Sequence, residues 1–573
     1  MIVYGDRERR EPTSALLERL SMRLTEVARA HGATGEGLRA ELAIESGVLA
    51  QGLLDLQHAR DEQDEQTALT DACAALCLAS ARAFLGAALA PVGDALQRLR
   101  ACAPEETLKL RDPEGYAFYA LYPDLYVAAA RSLASEDVQV IGIRSIGTSL
   151  AAFVAAAAGS TRLPFSLRPV GHPFARTVRV GERLARTLLE RTETTRYLVV
   201  DEGPGLSGSS FVAITEWLLA HGVDAARITL FPSHAGEPGA QAGEEVKTRY
   251  RTTARRHVPF EEVFPPPVLG AWFEDAVGAS DTVRDLSGGR WRALQYGAAD
   301  PLPPSHVRDE RRKYLLERDQ QRWLMKFVGL GESGRRIATR ARVLGEAGLT
   351  PAIRAARHGF LLMAWERDAT PLPLASYDRA AFVDHLGRYL AFVATRFGTA
   401  PPESGARPEA LLALLEYNAA QLLGDEPTRS LARFDASLAQ LGARHRPTAT
   451  DNKLDAHEWL VRADGTFVKC DAEGHHAAHD CIGCQDPAWD VAGACIEHAL
   501  TADEQASVLR RLQDDAALRI DADALTFYQL AYAAFRAGSA HYAELALAGW
   551  AEDDAMRFRA EKARYTAIIR ARL

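Results

Sequence analysis

Tyr197-Leu-Val-Val-Asp201-Glu202-Gly203-Pro-Gly205-Leu-Ser207-Gly208-Ser209-Ser210-Phe211 sets two adjacent carboxylates between an apolar run and a loop of glycines and serines. The helical pattern SFVAITEWLLAHG follows directly. Two further runs share this grammar. VQVIGI (Val138 to Ile143) leads through a turn into the helical SLAAFVAAAA, and RITLF (Arg227 to Phe231) follows the helix after Phe211. Strands that are apolar on both faces and joined by helices predict a parallel sheet covered on both sides. Such sheets place their chemistry at the carboxyl ends of the strands.

The quoted loop is suited to a phosphate, because loop and helix N-terminal N–H groups with serine hydroxyls offer converging donors. The two acids beside it suit sugar hydroxyls. Gly203, Gly205 and Gly208 also satisfy GxGxxG, but a dinucleotide site wants the glycines directly after the strand and an acid at the end of the next, where Pro232 stands. A P-loop needs Lys where Ser209 stands. A plain Gly-rich turn with capping serines is the remaining alternative.

Upstream, SALLERLSMRLTEVARA and DACAALCLASARAFLGAALAPVGDALQRLRA carry helical spacing, so residues 1 to 111 are expected to be a helical region without strands. Cys73 and Cys77, one turn apart on an apolar face, read as core. The expected blocks are 1–111, 112–300 and, beyond a Pro-rich linker at Ala298 to Ser305, 306–573. That makes an α/β multidomain chain, and 573 residues at ~150 per domain fit about three or four cores. The 47% hydrophobic and 25% charged content excludes disorder. With 67 Lys and Arg against 76 Asp and Glu, the net charge of −9 argues against a nucleic-acid binder. No apolar run reaches the ~18 residues of a membrane helix and no signal core opens the chain, so a soluble cytoplasmic protein is expected. Seven scattered cysteines do not make a disulfide framework.

The strand, acidic pair and Gly/Ser loop resemble the phosphoribosyl-pyrophosphate (PRPP) motif of type I phosphoribosyltransferases, one residue longer than usual. IGIRSIGTSLAAFVAAAAG (Ile141 to Gly159) is similar to that family's pyrophosphate loop. The resemblance implies that Asp201 and Glu202 contact the ribose hydroxyls, and that Gly205 and Ser207, Gly208, Ser209 and Ser210 cradle the 5-phosphate. It further implies that Arg144, Ser145, Gly147 and Thr148 hold pyrophosphate with Mg2+. RPVGHPFARTVRV (Arg168 to Val180) resembles the loop that closes over the substrate, with Arg176 among its arginines. Trp272, Phe273 and Trp291 are candidates to line an acceptor pocket.

The third block resembles the aminoglycoside phosphotransferase and choline kinase-like fold. Trp323-Leu-Met-Lys326-Phe-Val is similar to the strand whose lysine grips ATP phosphates, and GFLLMAWE (Gly359 to Glu366) to the strand leading to the hinge. Gln485-Asp486-Pro-Ala-Trp-Asp490-Val-Ala resembles GDPAxDLA, which implies a metal-binding Asp471. The family's HGDLHxxN register then puts Glu458 at the metal-binding Asn, Lys453 at the catalytic Asp, and Arg340 where the lysine's Glu partner is expected. GLGESG (Gly329 to Gly334) precedes a helix, but no acid-tipped strand follows it. His475, His479, Cys481 and Cys484 have zinc-type spacing, yet a single CxxC without a second pair favours ordinary loop polarity.

These readings together imply a phosphoribosyltransferase using Mg-PRPP, coupled to a kinase-like domain acting in the same pathway. The alternative is a PRPP- or nucleotide-sensing regulator with a pseudokinase domain. Small-molecule substrates are the expected partners, with self-association through the helical N-terminal region.

Overall fold

A computed structural model describes residues 1–5, 8–30, 32–134, 136–298, 302–307, 310–398 and 405–573. Residues 299–301 of the expected linker lie outside the described residues. The N-terminal region is largely helical, built from Thr13–Arg29, Gly32–Asp61, Ala68–Phe84 and Ala90–Cys102, with Cys73 and Cys77 buried in its core. It is not free of strands. Glu8–Pro12 (β1) pairs antiparallel with Thr107–Arg111 (β2), which turns Leu108 and Leu110 into the helical core. Two inward leucines with a partner far along the chain leave too weak a period-two signal to read locally.

Val138–Ile143 (β3) and Phe165–Leu167 (β4) come next, followed by a hairpin of Pro169–His172 (β5) and Ala175–Val178 (β6). Arg196–Val200 (β7), Ile228–Phe231 (β8) and Ala254–Arg255 (β9) complete a five-stranded parallel sheet in the order β4-β3-β7-β8-β9. Every residue of β3 and β8 is buried, which apolar side chains on both strand faces require.

Thr282–Asp285 (β10) belongs elsewhere. It pairs antiparallel with Lys313–Arg318 (β11), which with Gln321–Phe327 (β12), Ile353–Arg357 (β13) and Phe360–Ala364 (β14) makes a sheet ordered β10-β11-β12-β14-β13. The sheet edge therefore falls upstream of the break expected at residue 300. A small sheet of Thr370–Pro371 (β15), Trp459–Val461 (β16) and Phe467–Lys469 (β17) follows. The C-terminal helices pack around Trp459, Trp489, Tyr389 and Phe535. No helix among the described residues is long and apolar enough to cross a membrane.

Residues 114–119 link the two sheets. The Leu330 N–H donates to the Tyr116 carbonyl at 2.8 Å, and His479 Nε2 lies 3.1 Å from Glu114 Oε1. Arg335 ties the helix Gly331–Glu346 to Glu41 and Glu45 of the N-terminal region.

Candidate functional site

The register of β3 on β7, Ile141 against Val199 and Gly142 against Val200, brings the loops after the two strands side by side. Gly147 makes this approach feasible: a Cβ there would lie 2.6 Å from the Val200 carbonyl oxygen and 3.1 Å from Asp201 Oδ1. Ser145, a non-glycine residue, holds φ 127° in the same turn, a conformation that carries strain. Beside it, the Thr148 hydroxyl is buried without a hydrogen-bond partner.

Glu202 Oε2 accepts from the Gly115 N–H at 2.9 Å, and the Asp201 carbonyl accepts from the Tyr126 hydroxyl at 2.8 Å. Neither carboxylate forms an ion pair among the described residues. Burial, and then the Glu202 charge, pushes Asp201 well above the usual carboxylate range, while burial and the Glu114 charge push Glu202 up to about 8. In the following loop, Ser207 Oγ and Ser209 Oγ are 3.1 Å apart. The Ser209 hydroxyl donates to the Pro173 carbonyl, which lies at the tip of the β5–β6 hairpin. Gly205 and Gly208 both hold φ 62°, and Gly208 precedes the helix Ser209–Ala220, which includes Ser210. Arg176 lies on β6 and donates to the Pro169 carbonyl at 3.4 Å.

Arg144 departs from its expected role. Its guanidinium, 2% exposed, pairs with Asp64 at 2.7 Å and donates to Ser166 and to the Leu54 carbonyl. It is spent on joining the sheet to the N-terminal helices. Arg168 is likewise held by Asp55. Phe273 is fully buried, and Trp291 lines the C-terminal cleft rather than the parallel sheet.

That cleft encloses about 840 Å3 and is lined by Lys326, Met363, Trp365, Leu460 and Asp471. Lys326, on β12 and 4% exposed, is clasped by both Asp471 and Glu473. Against the desolvation that raises it, the Lys326 ammonium and then His475 hold the Asp471 carboxyl well below its ordinary value. Lys469 of β17 donates to Glu458 at 2.6 Å and lies 3.4 Å from Asp451. His475 Nδ1 is 2.9 Å from Asp451 Oδ1, and the Tyr389 hydroxyl donates to Asp451 Oδ2 at 2.6 Å. Glu458, Asp471 and His475 offer ligand atoms within 4.8 Å of one another. Four carboxylates here, Asp451, Glu458, Asp471 and Glu473, face the two ammonium groups of Lys326 and Lys469. Carboxylate oxygens in such a cluster are the donors a divalent cation takes.

Asp490 braces the loop in front of this cluster by accepting from the N–H groups of Asp451, at 2.8 Å, and Asn452, at 2.9 Å. Burial, and then the Asp451 charge, pushes its carboxyl up to about 7. The next residue, Lys453, lines the cleft. Arg340, expected opposite Lys326, instead donates to the Ala449 and Ala472 carbonyls. Glu473 supplies the partner from a loop. The zinc-type residues diverge: His475 faces Asp451, His479 faces Glu114, and the Cys481 N–H donates to the Val3 carbonyl. Among the described residues no group of three or more ligands joins His479, Cys481 and Cys484.

No protein-family model matches the chain, and no curated protein does. Among solved structures, choline kinase LicA from Streptococcus pneumoniae is 15% identical, with 52% of this chain and 98% of that one covered at a TM-score of 0.35. Spectinomycin phosphotransferase in complex with ADP and spectinomycin is 10% identical, covering 53% and 98% at 0.34. Plasmodium vivax ethanolamine kinase is 10% identical, covering 59% and 97% at 0.32.

Proposed function

We propose that the chain is a phosphotransferase: its C-terminal cleft takes a nucleoside triphosphate with a divalent cation and passes the terminal phosphoryl group to a small molecule. The observation that carries this reading is the Lys326 ammonium, clasped by Asp471 and Glu473 on the wall of the 840 Å3 cleft. Lys326 meets the nucleotide phosphates as a point charge. Glu458 and Asp471 would hold the divalent cation, which would supply positive charge against that of the phosphates. Asp490 fixes the loop that presents Lys453 to the cleft. A charged Lys453 takes no proton, but a loose phosphoryl transition state asks chiefly for positioning and charge compensation. The acceptor that suits the site is an oxygen already anionic, a carboxylate or a phosphate. Calorimetric titration of ATP with Mg2+, read beside phosphoryl release, tests the assignment. Binding is expected to be lost in Lys326→Ala and Asp471→Asn, and binding that survives both changes would overturn the reading.

A second reading rests on the parallel sheet, where Gly147 lets the loop after β3 abut Asp201. Here the chain binds PRPP and transfers or removes a phosphoribosyl group. Asp201 and Glu202 take the ribose hydroxyls, Ser207 to Ser210 with Gly205 and Gly208 take the 5-phosphate, and Ser145, Gly147 and Thr148 take pyrophosphate. The β5–β6 hairpin with Arg176 shields the developing ribosyl cation from water. Magnesium-dependent PRPP binding that disappears in the Asp201→Asn, Glu202→Gln double variant is the expected result, and no PRPP binding by the unaltered chain would remove this reading.

A further inference from the structure

His475 stands between a buried carboxylate and two cleft-facing ones. Its Nδ1 is 2.9 Å from Asp451 Oδ1, while its Nε2 lies 3.5 Å from Asp471 Oδ1 and 3.9 Å from Glu458 Oε1. Asp451 is fully buried, with Lys469 Nζ 3.4 Å from its Oδ2 and the Tyr389 hydroxyl donating to the same oxygen. A carboxylate fixed at Nδ1 orients the ring so that Nε2 is the nitrogen turned to the cleft. There Nε2 faces Glu458 and Asp471 at separations long for hydrogen bonds. Two ligands each ~2.1 Å from a shared ion span ~3.0 to 4.2 Å, which covers both separations.

A second feature points to the same place. Tyr296 is 6% exposed, and its hydroxyl has no hydrogen-bond partner. It lines the same cleft as Glu458, Asp471 and His475. A buried phenol without a partner calls for a polar group in that cleft, and water on a bound cation would be such a group.

We propose that Glu458, Asp471 and His475 form a mixed oxygen–nitrogen site for a divalent first-row transition cation, oriented by Asp451 behind the imidazole, so that the cleft prefers such a cation to Mg2+. This deepens the phosphotransferase reading, since the site is the one expected to hold the nucleotide's cation. The imidazole is the reason for the preference: Mg2+ seeks oxygen ligands in octahedral array, whereas nitrogen ligands raise affinity along the first-row series.

The test uses the full chain and metal alone. Calorimetry with MnCl2 and MgCl2 is expected to show Mn2+ binding at least ~10 times more tightly, with His475→Gln removing that preference and Asp451→Asn weakening Mn2+ by ~10- to 100-fold. Thermal melts identify a variant that fails to fold. Pulsed electron paramagnetic resonance of Mn2+ on the unaltered chain needs no variant: a coupling to an imidazole 14N is expected. No nitrogen coupling, no Mn2+ binding, or an unchanged Mn2+ to Mg2+ ratio in a folded His475→Gln protein would each overturn the site. ATP titration of the same samples separates the outcomes. Nucleotide binding without nitrogen coupling sinks this site alone, while nitrogen-coupled Mn2+ without nucleotide binding sinks the phosphotransferase reading.

Discussion

Asp201 and Asp471 both sit just beyond the end of a strand in chemically rich surroundings, yet their carboxyls are pushed in opposite directions. Asp201 has Glu202 beside it and no ion-pair partner among the described residues, and its carboxyl is pushed far up. Asp471 is clasped by Lys326 and is driven far down. Removal from water acts in the same direction on both. The neighbours decide the result, and with it the chemistry each site is ready for. A carboxyl pushed up is readier to exchange hydrogen bonds with hydroxyl groups, whereas one pushed down is readier to meet a cation.

The largest expected effect comes from removing the cation that creates the difference. Lys326→Met leaves Asp471 and Glu473 facing each other without an ammonium, and breaking a buried pair in this way costs about 3–5 kcal/mol. Urea unfolding measures it. A loss under ~1 kcal/mol would show that the lysine is not what keeps Asp471 ionised.

The comparison is sharpened by pH. Glu202 titrates near 8 in the folded chain against ~4.5 unfolded, so between those values the folded state holds a proton that the unfolded state has lost. Its contribution to stability is complete below ~4.5 and falls as pH rises toward 8, by up to ~1.4 kcal/mol per pH unit. Asp471, depressed, contributes above the ordinary carboxylate range and loses that only as pH falls below it. Hydrogen exchange from pH 5 to 8 is therefore expected to show protection declining in β7, with that decline flattened in Glu202→Gln. Equal β7 slopes in the unaltered chain and in Glu202→Gln would break the contrast.

The smallest effect concerns the hairpin. Ser209→Ala removes the hydroxyl that donates to the Pro173 carbonyl, at a cost of about 0.5–1.5 kcal/mol by thermal melting. Exchange should quicken in β5 and β6 while β12 is unchanged.

Much of this contrast was legible in the chain. VQVIGI, YLVV and RITLF announce buried strands because β-branched runs leave no polar face, and Lys326 stands out as a cation within an apolar strand. Partners reached through space were not legible. Arg144 beside a Gly/Ser turn looks like an anion ligand until the fold packs Asp64 against it. Glu473 was missed because the expected partner position, on the helix after β12, holds Arg340, while the acid arrives from a loop far along the chain. The segment Asp471-Ala-Glu473-Gly-His475 carried a faint signal in its three chemically active residues at alternate positions.

Strand β10 shows that covalent order and mechanical order differ in this chain. Because Thr282–Asp285 is hydrogen-bonded to β11, the peptide between them, including the described residues 302–305, joins two strands already held side by side. Arg292 adds a buried clamp to Asp554 from within the same stretch, at 2.6 Å and 2.9 Å. A protease nick at 302–305 would therefore yield two fragments that elute as one body, and the upstream fragment would carry away an edge strand of its neighbour only on denaturation.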